Sequence, residues 1–313
     1  MTARAVLIRV AKLSVPLLVT FFVGRAIYRN WEQVRTADWT LDPLLIGLSF
    51  VLCSGWFLFR PLGWNIIINR FGRRVPYPDV FRVYRKSELS RYVPGAIWQF
   101  VSRVYFIKAW GVAPAACLAA TMVDLFLAVL ACMVPAGWTL ETLLPELGQY
   151  HRVAIVVFPV LAIAVVHPKI LNFWAGFVAR KLNQPYPELE IRWSTLAGIW
   201  GLYVFGWFAL CAGIAIFVKG LIDVPWEPMP FVASSYAVAW LAGTLAMIAP
   251  AGMGIRDYAL GLLLSQVVGE GPGFTLAVAI RLWVALTELV WAAIGETLFP
   301  RSDPPVTDQP QGS

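Results

Sequence analysis

The chain is a succession of long apolar runs separated by short polar segments. A transmembrane helix needs about 20 mostly apolar residues, and the runs at 195–218 and 230–249 carry no charge at all. Comparable runs at 114–136 and 274–298 contain only a few charged residues, and the run that begins at residue 44 continues past Arg60 to residue 68. The pattern predicts an all-α, polytopic helical membrane protein.

Three shorter apolar runs decide how many spans there are. Residues 13–23 follow a basic N-terminal segment, and we interpret them as a retained first helix rather than a signal peptide, because no clear cleavage site follows. Residues 153–166 are interrupted by Pro159. Residues 255–268 make only three or four helical turns. If they cross, we expect eight spans with both ends cytoplasmic, and if they re-enter, seven spans with the C-terminus outside.

Basic residues predict the orientation in the membrane. Segment 60–91 holds eight Lys and Arg residues against Asp79 and Glu88, and such an excess is typical of a cytoplasmic loop. The charges of the later loops agree with this orientation only if residues 92–107 enter and leave on the same side. We therefore interpret residues 92–107 as re-entrant or interfacial, in a multi-pass protein of the cytoplasmic membrane with a cytoplasmic N-terminus.

The composition limits the classes of function that the protein can have. Of the 313 residues 59% are hydrophobic and 14% charged, which is far from the balance of soluble domains. We expect one integral membrane domain over residues 1–300 and a disordered tail over 301–313. In such a protein the net charge of +7 indicates cytoplasmic loops and anionic headgroups, not nucleic acid. The two histidines and four cysteines have no metal-ligand or catalytic spacing, so we predict no metal, no cofactor and no catalytic residue.

Two apolar runs, at 91–103 and 249–257, are each broken by a proline and small residues and followed by an arginine. Broken helices at membrane depth are tolerated where they line a binding site, and their recurrence in both halves is typical of internal repeats in transporters. A freed helix N-terminus beside an arginine suits a phosphate. The candidate substrate-binding residues are Pro94, Gly95, Trp98, Gln99, Arg103, Pro250, Gly252, Gly254, Arg256 and Arg281.

Three acidic residues are candidates for coupling or ion pairing: Asp124, Asp257 and Glu288. Asp124 lies inside an apolar run, where it either carries a proton, faces a cationic headgroup or pairs with an arginine. Arg281 and Glu288 lie seven residues apart on one helix face, where they line a polar cavity or pair with neighbours. Arg103 and Arg256 have two structural alternatives as well: each side chain reaches to the membrane interface, or pairs with a neighbouring carboxylate, such as Asp257 for Arg256.

The motif strings resemble a known family. Residues 91–95, followed by 98–100 and 103–105, are similar to the signature of the lysylphosphatidylglycerol synthase transmembrane-region family, and residues 250–257 resemble its second motif. The chain departs from it at Ala120 and Thr121, where many members have Glu-Arg before the aspartate that corresponds to Asp124. The resemblance implies a stand-alone, flippase-like member without the soluble aminoacyltransferase domain, and hence no synthase activity.

The resemblance also implies a substrate class. We expect a transporter that moves a lipid with a phosphate headgroup, either a phospholipid or a polyprenyl-phosphate-linked lipid of a cell-envelope pathway. Two alternatives stay open at this stage. One is an integral-membrane lipid-modifying enzyme, and the other is a non-transporting partner or anchor of an envelope glycosyltransferase or lipid-synthesis enzyme.

Overall fold

The structure is a computed structural model in which nine helices contain most of the described residues. The described part of the chain comprises residues 31–71, 74–92, 98–143, 190–245 and 254–298, with Arg25, Tyr28, Arg29 and isolated positions between 167 and 180. Its helices are α1 Trp31–Thr36, α2 Pro43–Ile68, α3 Tyr77–Leu89, α4 Trp98–Ile107, α5 Pro114–Leu143, α6 Trp193–Leu221, α7 Met229–Leu245, α8 Ile255–Val268 and α9 Glu270–Thr297.

Within the described part of the chain, four helices are long and apolar enough to cross a membrane: α2, α5 (over Pro114–Thr139), α6 and α9. The shorter helix α7 is also apolar. These helices coincide with the predicted runs, so the prediction of an all-α, polytopic membrane protein is confirmed. The runs at 13–23 and 153–166 and the tail at 301–313 lie outside the described residues.

Helices α2 and α6 form a close antiparallel pair. Gly206, Gly213 and Gly220 recur every seven residues along α6, and a Cβ on Gly213 would lie only 2.7 Å from the Cys53 sulfur of α2. Small residues of this kind let membrane helices approach closely. The backbone N–H of Thr40, just before α2, donates to the carbonyl of Leu221 at the end of α6 (2.9 Å). The end of α2 and the start of α6 therefore lie at the same end of the pair, as the predicted topology requires.

Helix α9 runs parallel to α2. The indole N–H of Trp283 donates to Ser49 (3.0 Å), and eight residues later that of Trp291 donates to Ser54 (2.8 Å). The two helices therefore end on the same side of the bundle. This arrangement favours the alternative in which the C-terminal end of α9 lies on the same side as the basic segment after α2.

Two helices next to the interrupted motifs are shorter than the hydrocarbon core of a membrane. At 1.5 Å per residue, α4 with 10 residues and α8 with 14 extend about 15 and 21 Å, less than the roughly 30 Å hydrocarbon core. Gly269, with φ at +87°, turns α8 directly into α9. The short α4 fits the interpretation that residues 92–107 re-enter.

One expectation about segment 60–91 is wrong: it is not a loop throughout. Arg60 lies inside α2, and α3 packs into the bundle with Val80, Phe81 and Tyr84 fully buried. The buried residues of α3 include charged side chains such as Asp79, Arg82 and Glu88, which form ion pairs inside the bundle. The connection between α2 and α3 comprises residues 69–76, of which 69–71 and 74–76 are described and Gly72 is not.

Candidate functional site

Asp124 is the centre of a buried ionic cluster. Its side chain is 0% exposed and lies ten residues, or about 15 Å, into α5. The hydroxyl of Tyr203 donates to Oδ1 (2.5 Å) and that of Tyr84 to Oδ2 (2.9 Å). Guanidinium nitrogens of Arg60 and Arg103 lie 3.3 and 3.9 Å from Oδ2. Four different helices therefore supply the partners of one carboxylate.

Glu88, at the end of α3, extends this cluster. Its two oxygens bind Arg103 (2.7 Å) and Arg91 (2.9 Å), and the Nε of Arg103 also donates to Ser87 (2.9 Å). Arg91 reaches on to Glu288 of α9 (2.6 Å). Charges inside a membrane protein are costly unless they are paired, and they are functional candidates by default. We refer to the set Arg60, Glu88, Arg91, Arg103, Asp124 and Glu288 as the central ionic network.

Aromatic rings surround the arginines of this network. The guanidinium of Arg103 lies 3.9 Å from the ring centre of Tyr84 and 5.2 Å from that of Trp64, and Arg60 lies 5.4 Å from Trp56. Such contacts hold a guanidinium in one orientation without removing its charge. The network is therefore ordered and still charged.

A second polar cluster lies at the start of α8. The carboxylate of Asp257 accepts from the backbone N–H of Gly254 (3.2 Å) and forms an ion pair with Arg281 of α9 (3.2 Å). Arg256 instead donates to the hydroxyl of Tyr236 and lies 4.5 Å from the centre of its ring. Among the described residues the partner of Asp257 is thus Arg281, not its neighbour Arg256.

Helix α9 joins the two clusters. Arg281 and Glu288 are seven residues apart, about 10 Å along one helix face. Glu288 pairs with Arg91, three residues before Pro94, and Arg281 pairs with Asp257, three residues after Gly254. The residues flanking both interrupted segments are therefore bound to the same face of α9.

The structure describes only part of the predicted site. Pro94, Gly95, Pro250 and Gly252 lie outside the described residues. Trp98 is half-exposed at the start of α4 and Gln99 is partly buried beside it. The substrate contacts assigned to all these residues stay predictions.

Five residues of the central ionic network and its surroundings were not among the predicted site residues: Arg60, Glu88, Arg91, Tyr84 and Tyr203. Sequence reasoning assigned Arg60 and Glu88 to a cytoplasmic loop. A signal for Arg60 was present, because the apolar run that contains it continues on both sides to residue 68. The tyrosines carry no local signal, since an aromatic residue in an apolar helix is ordinary.

The structure also shows the surroundings of Ala120 and Thr121, where the chain departs from the family pattern. Ala120 is fully buried, and Thr121 donates to the carbonyl of Cys117. Asp124 receives its cations from α2 and α4 instead of from its own helix. Within the described part of the chain no group of three or more His, Cys, Asp or Glu side chains is placed to hold a metal ion.

Comparison with known proteins identifies the family. The chain matches the model described as Lysylphosphatidylglycerol synthase TM region over residues 6–291, and it belongs to that family. A search of curated proteins gave no match. The resemblance drawn from the motifs is confirmed, and the protein is a multi-pass membrane protein of a family with a lipid-related function.

Proposed function

We propose that the protein is a flippase-like transporter that moves a phospholipid or a polyprenyl-phosphate-linked lipid across the cytoplasmic membrane. One observation carries the proposal: the residues that flank both interrupted segments are ion-paired to one face of α9, through Arg91–Glu288 and Asp257–Arg281. In many transporters discontinuous helices form the substrate site, near the membrane midplane and at the interface between two repeats.

The chemistry of the site suits a phosphate headgroup. A charged headgroup can cross the hydrocarbon region only where protein groups replace its water, and guanidinium groups match phosphate oxygens bidentately. Arg256, whose described partners are the hydroxyl and ring of Tyr236, keeps its charge uncompensated by any carboxylate of the described residues. Arg103 is held by Glu88 and lies near Asp124, so it binds substrate only by exchanging a carboxylate for a phosphate.

The acidic residues have the complementary role in this proposal. Asp124, Glu88 and Glu288 hold the arginines while no lipid is bound, and they release them when a headgroup enters. The process is non-covalent and needs no cofactor. The acyl chains stay in the bilayer against the outward apolar faces, to which Phe205 and Leu282 contribute.

A reconstitution experiment tests the proposal. Purified protein in liposomes with acyl-labelled fluorescent phosphatidylglycerol should make inner-leaflet label accessible to dithionite, while protein-free liposomes should not. A control variant, Asp223→Asn, changes the well-exposed partner of Lys219 and should behave like the wild type.

The same samples separate the alternatives. An enzyme would change the chemical identity of the lipid, which mass spectrometry of the extract detects, whereas a transporter changes only its leaflet. Unchanged lipid in an unchanged leaflet distribution, across phosphatidylglycerol and a polyprenyl phosphate, would refute transport. Co-purification of an envelope glycosyltransferase would then favour the partner role.

A further inference from the structure

The charges in and beside the central ionic network do not balance. Among the described residues, the arginines are Arg60, Arg85, Arg91 and Arg103, and the carboxylates are Glu88, Asp124 and Glu288. Four cations face three anions. Uncompensated charge is expensive inside a protein, so a surplus of this kind indicates that a further negative charge belongs there.

Arg85 is the arginine of this group that forms no ion pair with a described residue; Glu88 and Glu288 attract it only at longer range. It is 3% exposed, and within the described residues none of its nitrogens forms an ion pair, while its Nε has no hydrogen-bond partner. The carboxylate of Glu88, one turn further along α3, binds Arg91 and Arg103 instead. The neighbouring Arg82, by contrast, is paired with Asp79.

Aromatic rings hold the Arg85 guanidinium in place. It lies 5.2 Å from the ring centre of Phe57, 5.0 Å from that of Tyr84 and 5.9 Å from that of Phe81. The ring faces attract a cation but bring no negative charge. The Nε of Arg85 is buried and has no hydrogen-bond partner among the described residues, and guanidinium N–H donors match the oxygens of an oxyanion. The rings thus hold in place an arginine that still has a donor to satisfy.

We propose that Arg85 binds the phosphate group of the ligand, as a single negative charge that completes the balance of the network. This inference rests on the proposed function and deepens it, because it names a binding residue that the motifs do not contain. A phosphodiester, which carries one negative charge, matches the surplus of one.

The test compares thermal unfolding of the purified full chain in detergent, with and without added dioleoylphosphatidylglycerol. Dioleoylglycerol, which lacks the phosphate, is the lipid control. The wild type should be stabilised by phosphatidylglycerol only. Arg85→Met should melt at or above the lipid-free wild type, because an apolar residue replaces an uncompensated charge. It should need at least tenfold more phosphatidylglycerol for the same shift, the expected effect of losing a charge-assisted hydrogen bond.

Two further variants sharpen the result. Arg85→Lys should respond to the lipid at intermediate concentration, because it keeps the charge and loses the bidentate geometry. Arg82→Met, one turn earlier on α3, should melt below the wild type because it strands Asp79, yet it should keep the wild-type lipid response.

Sodium phosphate in place of lipid distinguishes a free phosphate from a lipid headgroup as the ligand. An Arg85-dependent shift with phosphate indicates a free-anion site, and a shift with phosphatidylglycerol alone indicates a headgroup site.

Three outcomes would overturn the inference. The first is an Arg85→Met variant that melts clearly below the wild type, which would make the ring contacts structural. The second is an unchanged response of that variant to phosphatidylglycerol, and the third is a wild type that responds to neither probe. The proposed function is judged separately, by the leaflet distribution that the wild type produces in liposomes.

Discussion

Replacing Asp124 by Asn tests whether the central ionic network holds the bundle together. Asn has nearly the same volume and keeps an oxygen that can accept from the hydroxyl of Tyr203, which lies 2.5 Å from Oδ1. The substitution removes the negative charge that faces Arg60 at 3.3 Å and Arg103 at 3.9 Å. It is therefore a change of charge with little change of shape.

The expected loss of stability depends on which arginine loses its ion-pair partner. Arg103 keeps Glu88 at 2.7 Å, so most of the cost comes from Arg60, for which Asp124 is the ion-pair partner among the described residues. Stranding one member of a buried pair costs about 3–5 kcal/mol. The double variant Arg60→Met with Asp124→Asn should recover most of this, because no uncompensated charge remains on either residue.

Thermal unfolding in detergent measures the effect. We expect the melting temperature of Asp124→Asn to fall by roughly 5–15 °C, using a few degrees per kcal/mol for a chain of this size. Glu296→Gln is a matched control, because it removes a carboxylate from the partly exposed pair with Lys86, and exposed pairs contribute at most about 1 kcal/mol. If Asp124→Asn melts like the wild type, or if the double variant melts as low as the single one, the pair is not what stabilises the bundle.

Three further predictions concern transport and orientation. Arg256→Ala should leave the melting temperature near the wild type and reduce lipid transport tenfold or more, whereas Arg103→Ala should lower both; normal transport by either variant would refute a role in phosphate binding. Asp257→Arg and Arg281→Asp should each reduce transport in the liposome assay, and the swapped double variant should regain part of it if the ion pair is what matters. Gly72→Cys should be protected from an impermeant thiol reagent in intact cells, and strong labelling would reverse the orientation.

Length and apolarity were sufficient to predict α2, α5, α6 and α9, because a span is a local property of about 20 consecutive residues. Helix α3 was not predicted as a buried helix, because its charged residues are typical of a loop when the segment is considered alone. Its Asp79–Arg82 pair is local, but Arg85 packs on Phe57 of α2, and Glu88 binds Arg103 of α4. Residues of other helices neutralise and bury these charges, and the sequence of α3 itself does not show those residues.

The residues of the candidate site were likewise predictable only in part. Asp124 was predictable, since a lone carboxylate in an apolar run is conspicuous, while its partners come from four other helices. The expected alternative that Arg256 pairs with Asp257 failed for a geometric reason: adjacent residues of a helix do not face each other. Arg281, 24 residues further on, occupies the place.

The position of Arg281 and Glu288 on α9 has a mechanical consequence. Each ion pair joins α9 to a residue flanking one interrupted segment, Arg91 at 2.6 Å and Asp257 at 3.2 Å. A movement of either segment must therefore break its ion pair or displace α9, and a displaced α9 carries the other pair with it. Because Glu288 is fully buried and the Arg281–Asp257 pair is only partly so, breaking the pair at Glu288 strands a charge at greater cost. On the proposed transport function we therefore expect the Arg281–Asp257 pair to break before the Arg91–Glu288 pair, because a headgroup that pairs with Arg91 does not compensate the charge left on Glu288.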